Sequence, residues 1–246
     1  AELKDKGILT ESEFKEKNGE MLVPIGRKIL VKHLGFATGG GGTNTAVGFA
    51  RLGFNTAVVT RVGAHDARGG ILLDTLKREG VDTRLVVRDP SAETAYSVLL
   101  QSPTGERTVL VYRGVSAKFH LKGIPWKNLS VGKWFYITAL GGNLPVLKKI
   151  IAFANAHGIH VAINPGRAEL DHGYRALQPI LKGATVVMLN REEASRLTGV
   201  PFEDERTMFA KLAIGLPGVV VVTDGRKGAL VADNTHRYHG TTHNVP

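Results

Sequence analysis

The chain has 246 residues, enough for one large domain or two small ones around a sizeable core. Apolar residues make up 43% and charged residues 22%, which excludes a disordered chain; cysteine is absent, which excludes disulfides and thiol catalysis; and no apolar run approaches the ~20 residues that cross a bilayer. The formal charge is +10, yet Lys and Arg are scattered with no run of five, so no nucleic-acid and no membrane partner is expected, and the lack of cysteine fits a cytoplasmic setting.

Residues 1–20 read as a helical hairpin. Gly7 is a helix C-cap signal, and Thr10 with Glu13 has the spacing of a capping box. Asn18-Gly19 marks the junction with a second unit, 21–246. Residues 22–31 and 33–37 read as extended. Apolar spacing then predicts a helix over 43–52, stopped by Gly53, and a strand over 56–62. Asp66 caps an expected helix over 67–78, followed by a strand over 81–87. Alternating residues at 94–101 and 107–113 flank Ser102-Pro103-Thr104-Gly105, a hairpin signal. Beyond it come a strand at 134–140, a helix at 144–156 and strands at 160–164 and 185–189, with a helix at 174–181 between the last two. Helices at 192–197 and 205–214 follow. Residues 219–223 form an all-apolar strand of the kind buried on both faces, and 229–232 and 236–239 close the chain. Strands alternating with helices predict an α/β sandwich with a largely parallel sheet. The stretches 22–37 and 94–113 break the alternation and read as a small β lid.

Glycine stands out at 30 of 246 residues, about 12% against a usual ~7%. Four of them, Gly39-Gly40-Gly41-Gly42, precede Thr43-Asn44 at the start of a helix, where bare backbone N–H groups can approach a ligand. The Asn44 amide both donates and accepts, as sugar hydroxyls require. Neither the P-loop spacing nor the dinucleotide Gly-x-Gly-x-x-Gly is met, which argues against a nicotinamide dehydrogenase. A flexible turn with Thr43 or Asn44 as a cap is the plain alternative.

The string Gly-Gly-x-x-x-Asn-x-Ala-x-x-x-Ala-Arg-Leu-Gly, ending at Gly53, resembles the first signature of the ribokinase-like, or PfkB, family of carbohydrate and nucleoside kinases. Gly63-Ala-His-Asp66-Ala-Arg-Gly69, Leu76-Lys-Arg-Glu-Gly-Val-Asp82-Thr83, Thr94-Ala-Tyr-Ser97 and Gly105-Glu-Arg-Thr108 resemble later segments in family order. Asn190-Arg-Glu-Glu193 resembles the Asn-x-x-Glu motif, and Thr223-Asp224-Gly225-Arg226-Lys227-Gly228 the nucleotide-side Thr-x-Gly-x-x-Gly turn. The resemblance implies a ribokinase-like three-layer sandwich that phosphorylates a sugar or nucleoside hydroxyl from ATP with Mg²⁺. It implies that Gly40, Gly41 and Asn44 hold the acceptor. Asn190, Thr223, Gly225 and Gly228 would serve the nucleotide, and Glu193 the magnesium through water. Taken alone, Asn190 and Glu193 equally make a helix capping box. Asp66 reads as a cap, and His236, His239 and His243 lack metal-ligand spacing.

Two family parts do not occur here. No strand ending in Asp precedes Met21, and no Gly-Ala-Gly-Asp run is found; the resemblance places that catalytic Asp beyond Pro246, so no catalytic base is assigned in this chain and it is expected to be inactive by itself. The alternative is a non-catalytic sugar- or nucleotide-binding or oligomerisation protein. Residues 1–20 resemble a short bacterial C-terminal oligomerisation motif, which implies a homo-oligomer.

Overall fold

The computed structural model describes residues 15–17, 20–22, 26, 28, 34–101, 107–117 and 119–242. Strands β1 (Lys15–Lys17) and β2 (Glu20–Leu22) pair antiparallel, with Lys17 opposite Glu20 and Lys15 opposite Leu22. These residues correct the expected helical hairpin, whose remaining positions lie outside the described residues. The reason is visible in the sequence: Asn18-Gly19, between the two strands, is a two-residue hairpin signal. Of the expected lid stretch 22–37, only Leu22 is in a strand among the described residues, and 34–37 form no regular element.

Helix α1 (Gly41–Arg51) starts two residues earlier than its apolar spacing suggests. Strand β3 (Arg61–Gly63), helix α2 (Ala67–Arg78) and strand β4 (Val87–Asp89) follow. β3 and β4 pair in parallel, and a single bridge joins Ala57 to Asp82, so both strands are shorter and later than expected. Ala46, Val58, Leu76 and Val81 form a small buried cluster that fixes α1 and α2 against this unit. Strands β5 (Tyr96–Gln101) and β6 (Arg107–Tyr112) form the expected antiparallel hairpin. The turn that joins them lies outside the described residues. Leu99 is 58% and Leu110 56% exposed, so this hairpin stands off the core.

The second half carries the main sheet. A short helix α3 (Trp126–Leu129) leads into β7 (Trp134–Ile137), α4 (Leu144–Ala156), β8 (His160–Ile163), α5 (Arg167–Leu170), α6 (Gly173–Leu181) and β9 (Val186–Asn190). Then come α7 (Arg191–Thr198), α8 (Glu205–Gly215), β10 (Val219–Thr223), β11 (Ala229–Ala232) and β12 (Arg237–Gly240). Among the described residues these strands form a six-stranded sheet in the order β12-β11-β10-β9-β8-β7. β7 to β10 run parallel, and β11 and β12 antiparallel, so the fold is the expected α/β type with a largely parallel sheet.

Burial of Val161, Ile163, Val187, Leu189 and Val220 against Leu147, Leu177, Leu197 and Leu212 makes the core. Each such aliphatic side chain contributes roughly 1.5–3 kcal/mol on leaving water. In β10, Val220 and Val222 are buried while Val219 and Val221 are half-buried. This corrects the expectation of a strand buried on both faces: side chains alternate across the sheet, and one face is the better covered.

Candidate functional site

Parallel strands end on the same side of their sheet. β7, β8, β9 and β10 therefore deliver Thr138, Asn164, Asn190 and Thr223 to one edge, the place where open α/β sheets bind ligands.

The glycine run joins that edge through α1. Gly40 is the N-cap, with φ +111°, a conformation that side chains other than hydrogen strongly disfavour. Gly41 and Gly42 are already helical, which corrects the reading of all four glycines as a preceding loop. The Thr43 hydroxyl explains the shift: it turns back to the carbonyls of Gly39 at 2.8 Å and Gly40 at 3.1 Å rather than capping forward. A Cβ at Gly41 would lie 3.3 Å from the Thr138 side chain, so glycine permits this close approach of α1 to the end of β7. The Asn44 amide N–H bonds the Gly40 carbonyl at 2.9 Å, and its side chain is exposed at the helix start. The first N–H groups of a helix have no partner within it, so this end offers donors beside the Asn44 amide.

On the other half, Asn190 ends β9 and caps α7. Its Oδ1 accepts the Glu193 amide N–H at 2.7 Å, and Glu193 Oε2 accepts the Asn190 amide N–H at 2.9 Å. The capping box is thus formed. It also draws in Asn164, whose Nδ2 donates to Glu193 Oε2 at 3.2 Å and to the Met188 carbonyl at 3.0 Å. Thr223 pairs with Asn190 in the parallel register. Behind it, the 223–228 turn closes on itself, with the Asp224 N–H bonded to the Gly228 carbonyl at 2.9 Å. Gly225 and Gly228 both have positive φ, at +51° and +96°. A Cβ on Gly228 would overlap the Gly240 carbonyl oxygen, so the turn is seated against the end of β12.

One contact path therefore runs along the sheet edge. It passes from Gly41 to Thr138, whose chain neighbour Ile137 accepts the Asn164 amide N–H at 2.9 Å, then through Asn164 to Glu193 and Asn190, and on to Thr223 and its turn.

Magnesium asks for oxygen ligands and usually keeps several waters. Among the described residues, no three acids or histidines come together as a direct metal cage. Glu193 already uses Oε2 in the box, which leaves Oε1 for a water-mediated contact. The residues present fit an outer carboxylate to a cation held mainly by phosphates, and do not fit a protein-only site.

Side chains to which no role was assigned from sequence also shape this edge. The buried Glu169 carboxylate accepts the amides of Leu140 and Gly142 through Oε1, and the His172 ring bonds the Gly142 carbonyl at 2.9 Å. They hold the loop after β7. Arg191 bonds Asp224 across the β9–β10 boundary at 2.7 Å. Both residues sit inside recognised motifs, but nothing in the sequence pairs them. Elsewhere, Asp66 caps α2 as its sequence position predicts, accepting the Gly69 amide at 2.8 Å, and its other oxygen accepts the Thr94 amide and hydroxyl at 2.7 and 2.8 Å. Asp66 is thus a structural carboxylate.

Known proteins resemble this chain in sequence and fold. The pfkB family carbohydrate kinase profile matches residues 14–246, so the matched region takes in β1 and begins before the expected junction. A ribokinase of Staphylococcus aureus is 26% identical over 207 residues, covering 82% of this chain and 66% of the relative. Fructokinase-2 of Oryza sativa is 28% identical over 232 residues, covering 85% and 67%. The chain thus spans about two thirds of the length of these relatives. Among solved structures, a fructokinase from Vibrio cholerae superposes with a TM-score of 0.68 at 28% identity, covering 89% of this chain and 76% of the other. A sugar kinase of Pyrococcus horikoshii in complex with ATP gives 0.68 at 24% identity over 85% and 68%, and shares the fold. With the profile spanning nearly the whole sequence and the motifs gathered at one sheet edge, the chain belongs to the pfkB family of carbohydrate kinases.

Proposed function

We propose that this protein transfers the γ-phosphoryl group of ATP to a hydroxyl of a sugar or nucleoside. One observation carries the reading: the glycine-rich start of α1 and the Asn190–Thr223 pair stand on one contact path at the C-terminal edge of the parallel sheet. Phosphoryl transfer needs positioning and charge stabilisation more than covalent help from the protein. The two halves supply both kinds of group.

In this reading Gly40, Gly41 and Asn44 hold the acceptor, the helix-start amides and the Asn44 amide meeting its hydroxyls. Asn190, Thr223, Gly225 and Gly228 form the phosphate side of the nucleotide pocket. Glu193 orients water on a magnesium ion, whose charge, when bound, offsets that of the phosphates. The β5–β6 hairpin covers the site and excludes water. Its exposed residues on both faces also support pairing with a second copy, so we include a homo-oligomer in the proposal. An ATP-dependent reaction of this kind fits a cytoplasmic setting. Among the described residues, no helix is long and apolar enough to cross a membrane.

The testing experiment is coupled ADP release by the full-length protein over ribose, deoxyribose, fructose, related sugar acids and nucleosides. Acceptor-dependent ADP formation with one of them is expected. Absence of both turnover and ATP binding overturns the reading.

A further inference from the structure

Strands β9 and β10 pair residue by residue up to Asn190 and Thr223, where the ladder ends. The next residue on each strand is Arg191 and Asp224. Their backbones diverge, one into α7 and the other into the 223–228 turn. Their side chains continue the pairing instead: Arg191 Nη1 donates to Asp224 Oδ2 at 2.7 Å.

The surroundings make this a fixed contact rather than a loose surface pair. The Arg191 side chain is only 11% and that of Asp224 24% exposed. The guanidinium lies over the Phe202 ring at 4.4 Å, and its Nε and Nη2 donate to the Phe202 carbonyl at 3.0 and 2.9 Å. Glu205 Oε2 lies 3.5 Å from Nη1. Three groups thus hold Arg191 in one orientation, and a planar fork so held directs Nη1 at Asp224. On the other side Lys227 Nζ lies 3.5 Å from Asp224 Oδ2, and the Lys227 amide bonds the Asp224 carbonyl. Asp224 is therefore anchored within the turn that carries Gly225 and Gly228.

We propose that the Arg191–Asp224 ion pair is a positioning clamp that locks the 223–228 turn to the start of α7, keeping the two nucleotide-side motifs in register. This rests on the kinase reading above and extends it, because neither residue has been given a role there. Neither touches the nucleotide in the proposal; they act through Thr223, Gly225 and Asn190. The clamp belongs to the nucleotide half alone, since the acceptor half reaches the sheet edge through α1 and β7.

The test uses the full-length protein with Asp224→Ala and Asp224→Asn, because Arg191 has additional bonds to Phe202. ATP affinity is measured by calorimetry without acceptor, and the KM values for ATP and acceptor by ADP release. Asp224→Ala is expected to weaken ATP binding about five- to tenfold while the acceptor KM stays within twofold. Asp224→Asn, which retains a neutral acceptor oxygen for Arg191, should fall between Ala and wild type. Arg191→Gln combined with Asp224→Ala should weaken ATP binding little beyond the Asp224→Ala level. A lower melting temperature with ATP affinity within twofold of wild type would mean that the pair only stabilises the fold, and would overturn the clamp. Equal loss for ATP and acceptor would overturn it as well. If the unaltered protein binds no ATP, the kinase reading fails and the clamp with it; if it binds ATP and the variants bind equally, the clamp alone fails.

Discussion

Glu169 Oε1 accepts the Gly142 amide at 2.7 Å from inside the protein. The same oxygen takes the Leu140 amide at 2.8 Å, and the residue is 1% exposed. Oε2 is buried without a hydrogen-bond partner among the described residues. One carboxylate thus anchors the loop that carries the chain from Thr138 at the sheet edge into α4. Glu169→Ala leaves two amides without their acceptor, at about 1–3 kcal/mol each for an unsatisfied buried group. A loss of roughly 2–5 kcal/mol in urea unfolding is expected. Glu169→Gln keeps one carbonyl oxygen for both amides and should lose much less. Equal losses for the two variants would show that the amide bonds do not set the cost.

Asn44→Ala separates binding from stability. The Asn44 side chain is exposed. Melting should move little, as for an ordinary surface change. Acceptor affinity should fall by about 1–3 kcal/mol, roughly five- to 150-fold, for one or two lost hydrogen bonds. ATP affinity should hold. Calorimetry with each ligand decides, and a parallel loss for both would remove Asn44 from the acceptor half.

Glu193→Gln tests the two uses of one carboxylate. The amide oxygen of Gln can still accept the Asn190 N–H, so the helix cap is largely retained. The charge is lost. In the full-length protein the magnesium concentration for half-maximal rate should rise severalfold while the melting temperature changes little. A fall in melting temperature with an unchanged magnesium dependence would leave capping as the whole role.

Gly228→Ala and Gly80→Ala form a matched pair. Both positions have positive φ, at +96° and +76°. Nothing lies within 4 Å of a Cβ at Gly80, so its substitution carries only backbone strain of about 1–2 kcal/mol. At Gly228 the new Cβ would also overlap the Gly240 carbonyl oxygen. Gly228→Ala should therefore destabilise clearly more in urea unfolding, and should weaken ATP binding as the turn shifts. Equal losses would mean that β12 yields freely.

Asp66 contributes to the acid sensitivity of the fold. Burial pushes its carboxyl up, but the Thr94 and Gly69 amides, the Thr94 hydroxyl and the nearby Arg68 together hold it below its ordinary value. The folded state thus binds the proton less readily than the unfolded chain, whose Asp titrates near ~3.9. The stabilisation is complete above that pH and is lost as pH falls through the lower folded value. Asp66→Asn should flatten the fall of unfolding free energy below about pH 4. An acid limb as steep as that of the wild type would exclude Asp66 as a contributor.

Local signals determined much of this protein from sequence alone. Helix 67–78 follows from the Asp66 cap and its apolar spacing, and helix 144–156 from its apolar stripe; there the Asn143 side chain also accepts the Val146 amide. Strand 219–223 follows from its run of β-branched residues. The same is true of the Asn190-x-x-Glu193 cap and the 223–228 turn, because each is a short stretch whose chemistry is written in neighbouring residues; of the glycine run only its place at a helix start was legible, since Gly41 and Gly42 are themselves helical. Asn18-Gly19 carried a hairpin signal of the same local kind, although it reads equally as a junction. Tertiary structure alone decided what those stretches meet. Arg191 and Asp224 are 33 residues apart, and Glu169 lies 27 residues beyond Gly142. Gly41 reaches Thr138 only because α1 is packed beside β7. Such pairings depend on strand register and helix docking, which arise from burying a whole core, and no window of adjacent residues contains them.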